Sequence, residues 1–553
     1  MSHMNRRKFM KHIGAASTAP FILNGFSFNL LAANSPLMQM LQKSNSDRVL
    51  VFIQLHGGND GLNTIIPVKR YSEYYNVRPN IAIPDDGSRK YIPLDESLPE
   101  DDQLGLHPDM TGIKELYDQQ KAAIVQAVGY DNMNLSHFRS RDIWFMGGDY
   151  DEQIPSGWMG RFLDQEYPGY PDTYPNDTMQ DPLGLELGNA VSLAFQRENS
   201  IPAGISLLNP QAFYDLINSV GIDPPPSQSF PDSYYGDELA YLTDFEKKSN
   251  EYALRLKEVY DAGTNAATIN YPTSYPLNAP APYINNPLSE QLKIIARLLS
   301  GGIQTRIFLV RIGGFDTHAD QVESYETSMG RHAALLYHVS SSVKAFMDDL
   351  IQQGLDEKVL AMTFSEFGRR VASNGSYGTD HGKAAPILLF GSGLKGGVYG
   401  TNPDFSDLDG GNLKHQFDYR QVYTTVLSDW LGSPDSSLID TGFGDYLSQK
   451  LDLIATSVAV HDLEGPVGKN ILFVCFPNPA KDHTTISYFI EKGEHVRIEM
   501  YSSSGQLLKI LTDQKQASGH HKLELDISEF ESGSYIYRIR AGDFKSAKTM
   551  IIQ

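Results

Sequence analysis

The sequence predicts an α/β fold with a mostly parallel sheet flanked by helices, followed by a C-terminal antiparallel β-sandwich. Between about residues 47 and 460, apolar runs typical of buried strands alternate with helical stretches, and this alternation predicts the sheet. Past residue 465, short runs of alternating polar and apolar residues between turn residues predict the sandwich. Since 41% of the 553 residues are hydrophobic and 20% are charged, a wholly disordered or fibrous chain is excluded.

The net charge and the cysteine content exclude some classes of partner and some types of metal ligand. The 46 Lys and Arg residues against 67 Asp and Glu residues give a net charge of −21, which argues against a nucleic-acid partner. The single cysteine, Cys475, excludes an intramolecular disulfide and a multi-cysteine zinc site. A bound metal must therefore use carboxylate and imidazole ligands.

The first 34 residues predict an export signal. Arg6 and Arg7 precede an apolar stretch with small residues, Ile13–Phe28, and this order resembles a twin-arginine signal peptide. The alternative is an N-terminal amphipathic helix that stays attached. Because no long hydrophobic segment follows, we expect no transmembrane span in the mature chain.

Hydrophobic periodicity predicts the elements of the main domain, residues 47–460. Five continuous apolar runs predict buried strands at Arg48–Leu55, Ala122–Val128, Arg306–Ile312, Val359–Phe364 and Pro386–Gly391. Helical spacing predicts helices at Met110–Gln120, Leu288–Leu299 and Leu335–Ile351. Residues 151–285, rich in Pro, Tyr, Asp and Asn, predict an irregular insertion or cap of loops and short helices.

Polar clusters stand next to the five predicted strands. Their acidic and imidazole members include His56, Asp60, His137, Asp316, His318, Glu366, Asp380 and His381. In a parallel sheet the carboxyl ends of the strands share one edge, so we expect these loops to converge there. Oxygen and imidazole ligands suit zinc, manganese, calcium or magnesium. Without a metal the carboxylates need arginine partners, for which the candidates are Arg139, Arg141, Arg369 and Arg370.

Several motifs together resemble one protein family. They are His56–Pro67, Ser136–Phe138, Gly314–His318, Ser365–Arg369 and Thr379–Gly382. On these motifs, residues from about 47 to 435 are similar to the DUF1501 family, a sulfatase-like branch of the alkaline phosphatase superfamily. The resemblance implies an alkaline phosphatase-like fold and metal-assisted hydrolysis of a phosphate or sulfate ester, whether of a small molecule or of a glycan.

The same resemblance implies roles for individual residues. Ser136 stands where the superfamily places its nucleophile, at a helix start, and an ordinary N-cap residue is the alternative. The implied metal ligands are Asp60, Asp316, His318, Glu366 and His381, with Glu366 alternatively a general base. The remaining candidates are Arg139 and Arg369 for charge stabilisation, Asp380 for orienting His381, and His56 and His137 as structural or ligating imidazoles.

The number of metal ions stays open. For a second cation the superfamily uses an Asp and a His four residues apart and then an Asp-His pair. This chain has Asp316 and His318 two residues apart and Glu366 in place of the pair, so it allows one divalent ion or none. A catalytically inactive cell-surface binding protein on the same fold is the alternative to the hydrolase.

The C-terminal segment, residues 470–553, resembles the sorting domain of type IX secretion cargo. The motifs that carry this resemblance are Phe476–Ala480, Ser503–Gln506, Ser532–Tyr535 and Lys548–Gln553. The resemblance implies the type IX secretion machinery as a partner, and a cell-surface or extracellular location in a Bacteroidetes-type bacterium. An ordinary immunoglobulin-like accessory module is the alternative.

Overall fold

The computed structural model describes residues 47–198, 201–220, 251–455 and most of 470–552, together with the short strands at 21–23 and 26–28. The chain divides into two compact units, Met1–Ala455 and Thr456–Gln553. Apart from the two short strands, the export signal predicted at about residues 1–34 lies outside the described residues. Residues 476–479 and 503–505 of the predicted sorting motifs lie outside them as well.

The predicted elements of the first unit are present, with bounds shifted by a few residues. Its strands are β1 (Phe21–Leu23), β2 (Phe26–Phe28), β3 (Val49–His56), β4 (Ile65–Pro67), β5 (Ile92–Pro93), β6 (Leu104–Leu106), β7 (Ala122–Gly129), β8 (Gly184–Leu187), β9 (Ile205–Leu207), β10 (Ile307–Gly313), β11 (Val359–Phe364), β12 (Ala385–Phe390), β13 (Gly397–Tyr399) and β14 (Phe417–Asp418). Its helices are α1 (Gly61–Thr64), α2 (Tyr71–Val77), α3 (Thr111–Asp118), α4 (His137–Met146), α5 (Trp158–Glu166), α6 (Pro210–Val220), α7 (Pro287–Ser300), α8 (Arg331–Gln353), α9 (Tyr419–Thr425) and α10 (Asp435–Asp440), and residues 251–262 are also helical. No helix in the described part of the chain is both long and apolar enough to cross a membrane.

A nine-stranded sheet forms the centre of the first unit. Its strand order is β13-β7-β12-β11-β3-β10-β8-β9, with β14 also paired to β7. The pairs are parallel except those of β12, which runs antiparallel to both β7 and β11. The prediction of a mostly parallel sheet is therefore confirmed.

The reversed direction of β12 decides where His381 lies. A loop that precedes a strand parallel to its neighbours would lie at the edge opposite to the loops that follow those neighbours. Because β12 runs antiparallel to β7 and β11, the segment before it reaches the edge where β3, β7, β10 and β11 end. The predicted convergence of the loops thus depends, for His381, on this one reversal.

Helices cover both faces of the sheet, which explains why its central strands are apolar at nearly every position. Alternate side chains of β3 enter different cores. Val51 and Ile53 belong to the core shared with helices α3, α7 and α8, whereas Leu50 and Phe52 belong to the core shared with α4, α5 and α9. All four side chains are fully buried, so both faces of β3 are closed to solvent.

The segment 151–285 is more regular than the sequence predicts. Strands β8 and β9 lie within it and extend the central sheet beyond β10 through parallel pairing. The two strands are only four and three residues long. Such short strands leave too few alternating positions for periodicity to reveal them.

The second unit is an antiparallel β-sandwich, as predicted. Its strands are β15 (Ile471–Leu472), β16 (His483–Ile490), β17 (Glu494–Ser502), β18 (Leu507–Gln516), β19 (Gly519–Asp526), β20 (Gly533–Ala541) and β21 (Phe544–Ile552). They form two sheets, of order β15-β16-β19 and β18-β17-β20-β21. Apolar residues from both sheets, among them Ile486 and Ile498, share one core, so this unit buries its own hydrophobic surface.

Candidate metal centre

Histidines and carboxylates from four loops meet at one edge of the central sheet, and the loop between β11 and β12 supplies two of them. His56 closes β3, His137 begins helix α4 after β7, and Asp316 follows β10. Glu366 follows β11, and His381 precedes the reversed strand β12. Ligands of open α/β sheets bind at this edge, because the loops beyond the carboxyl ends of the strands form a crevice there.

Two histidines present the same ring nitrogen to Asp316. Nδ1 of His137 lies 2.8 Å from Oε1 of Glu366, and its Nε2 lies 3.5 Å from Oδ2 of Asp316. Nδ1 of His381 lies 2.8 Å from the backbone oxygen of Leu135, and its Nε2 lies 3.3 Å from Oδ1 of Asp316. Because each Nδ1 faces an acceptor, the neutral ring carries its proton there and offers a lone pair at Nε2.

His318 repeats this arrangement. Its Nδ1 lies 3.2 Å from Oδ1 of Asp380, and its Nε2 lies 3.2 Å from Oδ1 of Asp316. The side chain of His318 is 47% exposed, which makes it the most open of the three imidazoles. The sequence prediction that Asp380 orients His381 is corrected, since Asp380 pairs with His318 and a backbone oxygen holds His381.

Three of these residues could hold one divalent cation. One ligand atom from each of His137, Asp316 and His381 lies within 4.8 Å of the other two. Nε2 of His137 is buried without a hydrogen-bond partner among the described residues. An imidazole that is oriented through Nδ1 and unpaired at a buried Nε2 has the arrangement of a metal ligand. The donor set therefore fits the cation that the sequence predicts.

Glu366 lies behind His137. Its side chain is fully buried, and its Oε1 also accepts a hydrogen bond of 2.8 Å from the backbone N of Gly57. Its backbone oxygen accepts from the hydroxyl of Ser140 and, at 3.0 Å, from Nε1 of Trp144. These contacts make Glu366 a positioning residue for His137. Its Oε2 is buried without a hydrogen-bond partner among the described residues, so the expectation of a metal ligand or general base stays a prediction.

The electrostatics of the group keep its carboxylates charged. Burial raises the pKa of Glu366, but hydrogen bonding to the neighbouring imidazoles outweighs it and brings the pKa to about 2. The same hydrogen bond raises the pKa of His137. Burial lowers the pKa of His381. For Asp316, burial raises the pKa, yet the hydrogen bond and charge of Arg369 leave it below its ordinary value.

Arg369 connects three loops beneath the group, those after β3 and β10 and the one between β11 and β12. Its buried guanidinium donates to the backbone oxygens of Gly57, Gly58, Phe315 and Thr379, and to Oδ1 of Asp316 at 2.7 Å. The sequence predicts that Arg369 stabilises developing charge. Its donors are instead engaged with the protein, so the structure places it as a buried support of the loops.

Gly57 allows two of these loops to approach closely. Its φ is +125°, in the region that favours glycine. A Cβ atom at this position would lie 2.3 Å from the backbone N of Asp316. The loop after β3 can therefore touch the loop after β10 only because residue 57 has no side chain.

Asp60 lies outside the group, although the sequence predicts it as a metal ligand. Arg78 donates to both carboxylate oxygens of Asp60, at 2.8 and 2.9 Å, and both side chains are buried. Burial raises the pKa of Asp60, but the charge of Arg78 and the hydrogen bonds leave it below its ordinary value. The expectation is corrected, because both oxygens of Asp60 are buried against Arg78 and Asp60 is not among the three residues whose ligand atoms lie close together.

Gln321 links Asp60 to the loops that carry the histidines, and sequence analysis missed it. Its Nε2 donates to Oδ2 of Asp60 at 2.7 Å, and its Oε1 accepts from the hydroxyls of Thr317 and Thr379, both at 2.9 Å. The signal that could have found it is weak. Gln321 directly follows the polar cluster after β10, and it is fully buried there.

Ser136 is the N-cap residue of helix α4. Its side chain makes no capping hydrogen bond, and the residue is exposed. It lies between Leu135, whose backbone oxygen holds His381, and His137. An accessible hydroxyl therefore stands next in sequence to two parts of the candidate metal centre.

Two other predicted residues contact different partners. Arg139, predicted to stabilise charge, donates to the backbone oxygens of Tyr150 at 3.0 Å and of Glu152, so it holds a neighbouring loop. Nδ1 of His56 lies 3.3 Å from Oε1 of Glu366. His56 thus joins the group through the carboxylate that orients His137.

Comparison with known proteins finds similarity to solved structures and to two family descriptions. The solved structures to which this chain is similar include sulfatases and proteins of the alkaline phosphatase superfamily. A sulfatase from Pseudoalteromonas sp., PsFucS1, is 12% identical, with 89% of this chain and 86% of that chain covered and a TM-score of 0.31. Alkaline phosphatase from the Antarctic bacterium TAB5 is 10% identical, with 64% and 95% covered and a TM-score of 0.26.

A further likeness is to latent PorU from Porphyromonas gingivalis. It is 20% identical, covers 16% of this chain and 10% of that chain, and has a TM-score of 0.14, so the chain spans about one tenth of PorU. No curated protein matches the sequence. At these identities and TM-scores the solved structures support no inference about activity.

Two family descriptions match separate parts of the chain. The DUF1501 match, to a protein family of unknown function, spans residues 256–442 and includes the loops that carry Asp316, Glu366 and His381. The second match spans residues 474–553. The chain thus carries a DUF1501 segment within its α/β unit and a secretion system C-terminal sorting domain, which indicates export and a surface or extracellular location.

Proposed function

We propose that this protein is an exported, metal-assisted hydrolase of phosphate or sulfate esters. The observation that carries the proposal is the shared orientation of His137, His318 and His381 around Asp316. Each ring is held through Nδ1 and turns Nε2 toward one carboxylate. Such outer hydrogen bonds are typical of metal-binding histidines, because they fix the tautomer and the direction of the lone pair.

In this proposal His137, Asp316 and His381 hold a single cation. Two imidazoles and a carboxylate favour zinc and then manganese, whereas calcium prefers oxygen ligands. Three protein ligands leave a coordination position for substrate, as in catalytic zinc sites. A cation bound there would polarise the ester oxygen and lower the proton affinity of a nearby hydroxyl.

Ser136 is the proposed nucleophile. Ser136 is the N-cap residue of helix α4, but its exposed hydroxyl makes no capping hydrogen bond, so the oxygen is available to a substrate. Attack by this oxygen on the phosphorus or sulfur atom would transfer the group to Ser136 and release the alcohol, which takes up the serine proton. Water would then hydrolyse the serine ester and release phosphate or sulfate. The backbone N–H groups at the start of α4 favour negative charge near the substrate.

The proposed cellular location rests on the C-terminal sorting domain and on the paired arginines near the N-terminus. The sorting domain supports passage through the type IX secretion machinery of a Bacteroidetes-type bacterium. The paired arginines at the N-terminus support a preceding step through the twin-arginine route. The proposed substrates are therefore small-molecule or glycan esters outside the cytoplasm.

The test combines metal analysis with turnover. Full-length protein is purified without chelator and analysed for metal content. It is then assayed with zinc, manganese or calcium on 4-nitrophenyl phosphate and 4-nitrophenyl sulfate. We expect about one zinc per chain, and hydrolysis that His137→Gln and Ser136→Ala both abolish. Only His137→Gln should lose the metal, so the pair separates ligand from nucleophile.

Two outcomes would contradict the proposal. One is the absence of turnover with every metal and both esters, and the other is activity that Ser136→Ala leaves unchanged. Melting temperatures of the variants show whether a loss of activity reflects unfolding.

The rival function is a metal-free surface binding protein. The ion pair between Arg369 and Asp316, at 2.7 Å, favours it, because Arg369 already neutralises the carboxylate that a cation would use. Stoichiometric metal in protein that has never been exposed to chelator would contradict this rival. Retention on a polysaccharide column without metal or turnover would support it.

A further inference from the structure

A cavity of about 360 Å³ lies at the edge of the central sheet. The carboxyl-terminal parts of β8 and β10 and the loop after β8 line it, together with helix α4. Its polar lining includes Arg141, Glu186, Ser192 and Arg311. The volume falls in the range of small-molecule sites, roughly 300–1,000 Å³, and matches a ligand about the size of one sugar unit.

The cavity shares its structural elements with the candidate metal centre. Arg141 lies one helical turn after His137 on α4, and residues at this spacing are neighbours on a helix surface. Arg311 is on β10, five residues before Asp316. The two sites therefore lie on the same helix and beside the same strand.

Two guanidinium groups line this cavity and are incompletely used. Arg311 donates from its side chain to Oε1 of Gln54 at 2.7 Å, and Oε1 of Glu186 lies 3.6 Å away. Arg141 donates to a single oxygen of the adjacent Asp142. Each guanidinium has five N–H donors, so both retain donors for an anion.

The carboxylates of Glu186 and Asp142 also line the cavity. Burial raises the pKa of Glu186, and its Oε2 is already bonded to the backbone N of Ser192 at 2.8 Å. The hydroxyl of Ser192 is buried and has no hydrogen-bond partner in the part of the chain that the structure describes. A ligand with both negative charge and hydroxyl groups would satisfy the arginines and this serine together.

We propose that the cavity is a subsite for a second anionic group of the substrate, a sulfate, phosphate or carboxylate on a sugar-sized unit. This inference rests on the proposed function, because it specifies which esters the proposed hydrolase prefers. The preferred substrate is an ester that carries a further fixed negative charge about one sugar unit from the bond that is cleaved. Arg311 and Arg141 take the charge, and Ser192 takes a hydroxyl.

Binding of disaccharides to the full-length Ser136→Ala protein, in which the proposed hydrolysis is abolished, tests this without turnover. Isothermal titration at about 0.15 M salt compares a disulfated disaccharide, its monosulfated form and a form with a uronic carboxylate in place of the second sulfate. We expect the two doubly charged probes to bind at least about tenfold more tightly than the monosulfated one. Comparison of those two probes tells which anion the cavity takes, and a preference for either supports the proposal.

Charge removal inside the cavity should abolish that preference. Arg311→Gln and Arg141→Gln should each weaken binding of the doubly charged probes about tenfold and leave the monosulfated probe within twofold. Arg311→Lys keeps the charge but loses the planar guanidinium. Its affinity for the doubly charged probes should therefore lie between those of the wild type and Arg311→Gln. Lys395→Gln is the matched control, because Lys395 follows β12 at the opposite edge of the sheet and pairs with Asp452.

Failure of the subsite can be told apart from failure of the proposed function. If simple aryl esters are hydrolysed but the protein shows no preference for a second charge, the subsite is overturned and the hydrolase stands. A preference unaffected by both arginine variants overturns it as well. A charge preference that depends on Arg311 in a protein without turnover supports the subsite and contradicts the hydrolase.

Discussion

Nδ1 of His137 lies 2.8 Å from a carboxylate oxygen of Glu366, and this contact turns the opposite ring nitrogen toward Asp316. The carboxylate is fully buried, and the hydrogen bond raises the pKa of the imidazole. Glu366 thus sets the direction in which His137 offers its lone pair. The first prediction follows from this pair.

Glu366→Gln should weaken metal binding by about tenfold to a hundredfold, the range found when the outer partner of a ligating histidine is changed. Glutamine has nearly the same shape, but its neutral oxygen holds the imidazole less strongly. Competition with a fluorescent chelator measures the metal affinity. An affinity equal to that of the wild type would show that Glu366 does not orient a ligand.

Removal of the metal should lower the thermal stability of the α/β unit. A ligand that binds only the folded state stabilises it by RT ln(1 + [L]/Kd), which is about 2.7 kcal/mol at a hundredfold excess over Kd. Calorimetry with and without chelator measures the shift, and His381→Gln serves as the variant that should show none. An equal shift in both proteins would mean that the ion binds elsewhere.

His318→Gln should lower kcat and leave the metal content near one ion per chain. The reason is that His318 contacts Asp316 from the exposed side, whereas the three ligand atoms that lie close together belong to other residues. Metal analysis beside steady-state kinetics distinguishes the two effects. Loss of the ion in this variant would make His318 a fourth ligand.

Asp60→Asn should destabilise the protein by about 3–5 kcal/mol without changing its metal content. The substitution leaves Arg78 charged and without its partner in the interior, and breaking a buried ion pair in this way costs about that much. Urea denaturation measures the change. The double variant Asp60→Leu, Arg78→Met should recover part of the loss, whereas loss of metal in Asp60→Asn would restore this residue as a ligand.

Stability should fall as the pH drops from about 6.5 to about 4, in part because of His332. Burial lowers the pKa of this imidazole from 6.5 to about 4, and its Nε2 lies 3.0 Å from Oδ1 of Asn59. Between these pH values the unfolded chain binds the proton and the folded chain does not, so acid favours unfolding. His332→Gln should show a flatter pH dependence in urea titrations, and an unchanged slope would contradict the assignment.

Strand positions were the most predictable part of the fold. The run from Arg48 to Leu55 is apolar because β3 is covered on both faces. A strand buried in this way has apolar residues at nearly every position, so it can be predicted from residue type alone. Strands β8 and β9 were missed because three or four residues carry no readable period. The edge of the sheet where the polar loops meet was predicted from the expected parallel direction of the strands. The antiparallel direction of β12 was not predicted, because no sequence pattern indicates it.

Individual site residues were less predictable than the place where they meet. Asp60 and Asp316 both follow apolar strands and look alike in the sequence. Asp60 differs because it forms a buried ion pair with Arg78, a contact that the sequence pattern does not reveal. His137 ranked below Asp60 as a candidate because a lone histidine has no distinguishing pattern. Its position depends on Glu366, 229 residues away, and no local feature reports a contact at that separation.

The guanidinium of Arg369 has a consequence for how this chain can tolerate change. The guanidinium of Arg369 donates hydrogen bonds to segments that are hundreds of residues apart in the sequence. Their alignment therefore depends on these hydrogen bonds more than on the lengths of the loops that connect them. Insertions farther along those connections should therefore be accepted readily, whereas lysine at position 369, with one nitrogen in place of three, would let the segments drift. Evolutionary variability should accordingly be concentrated in the connections and be low at this single position.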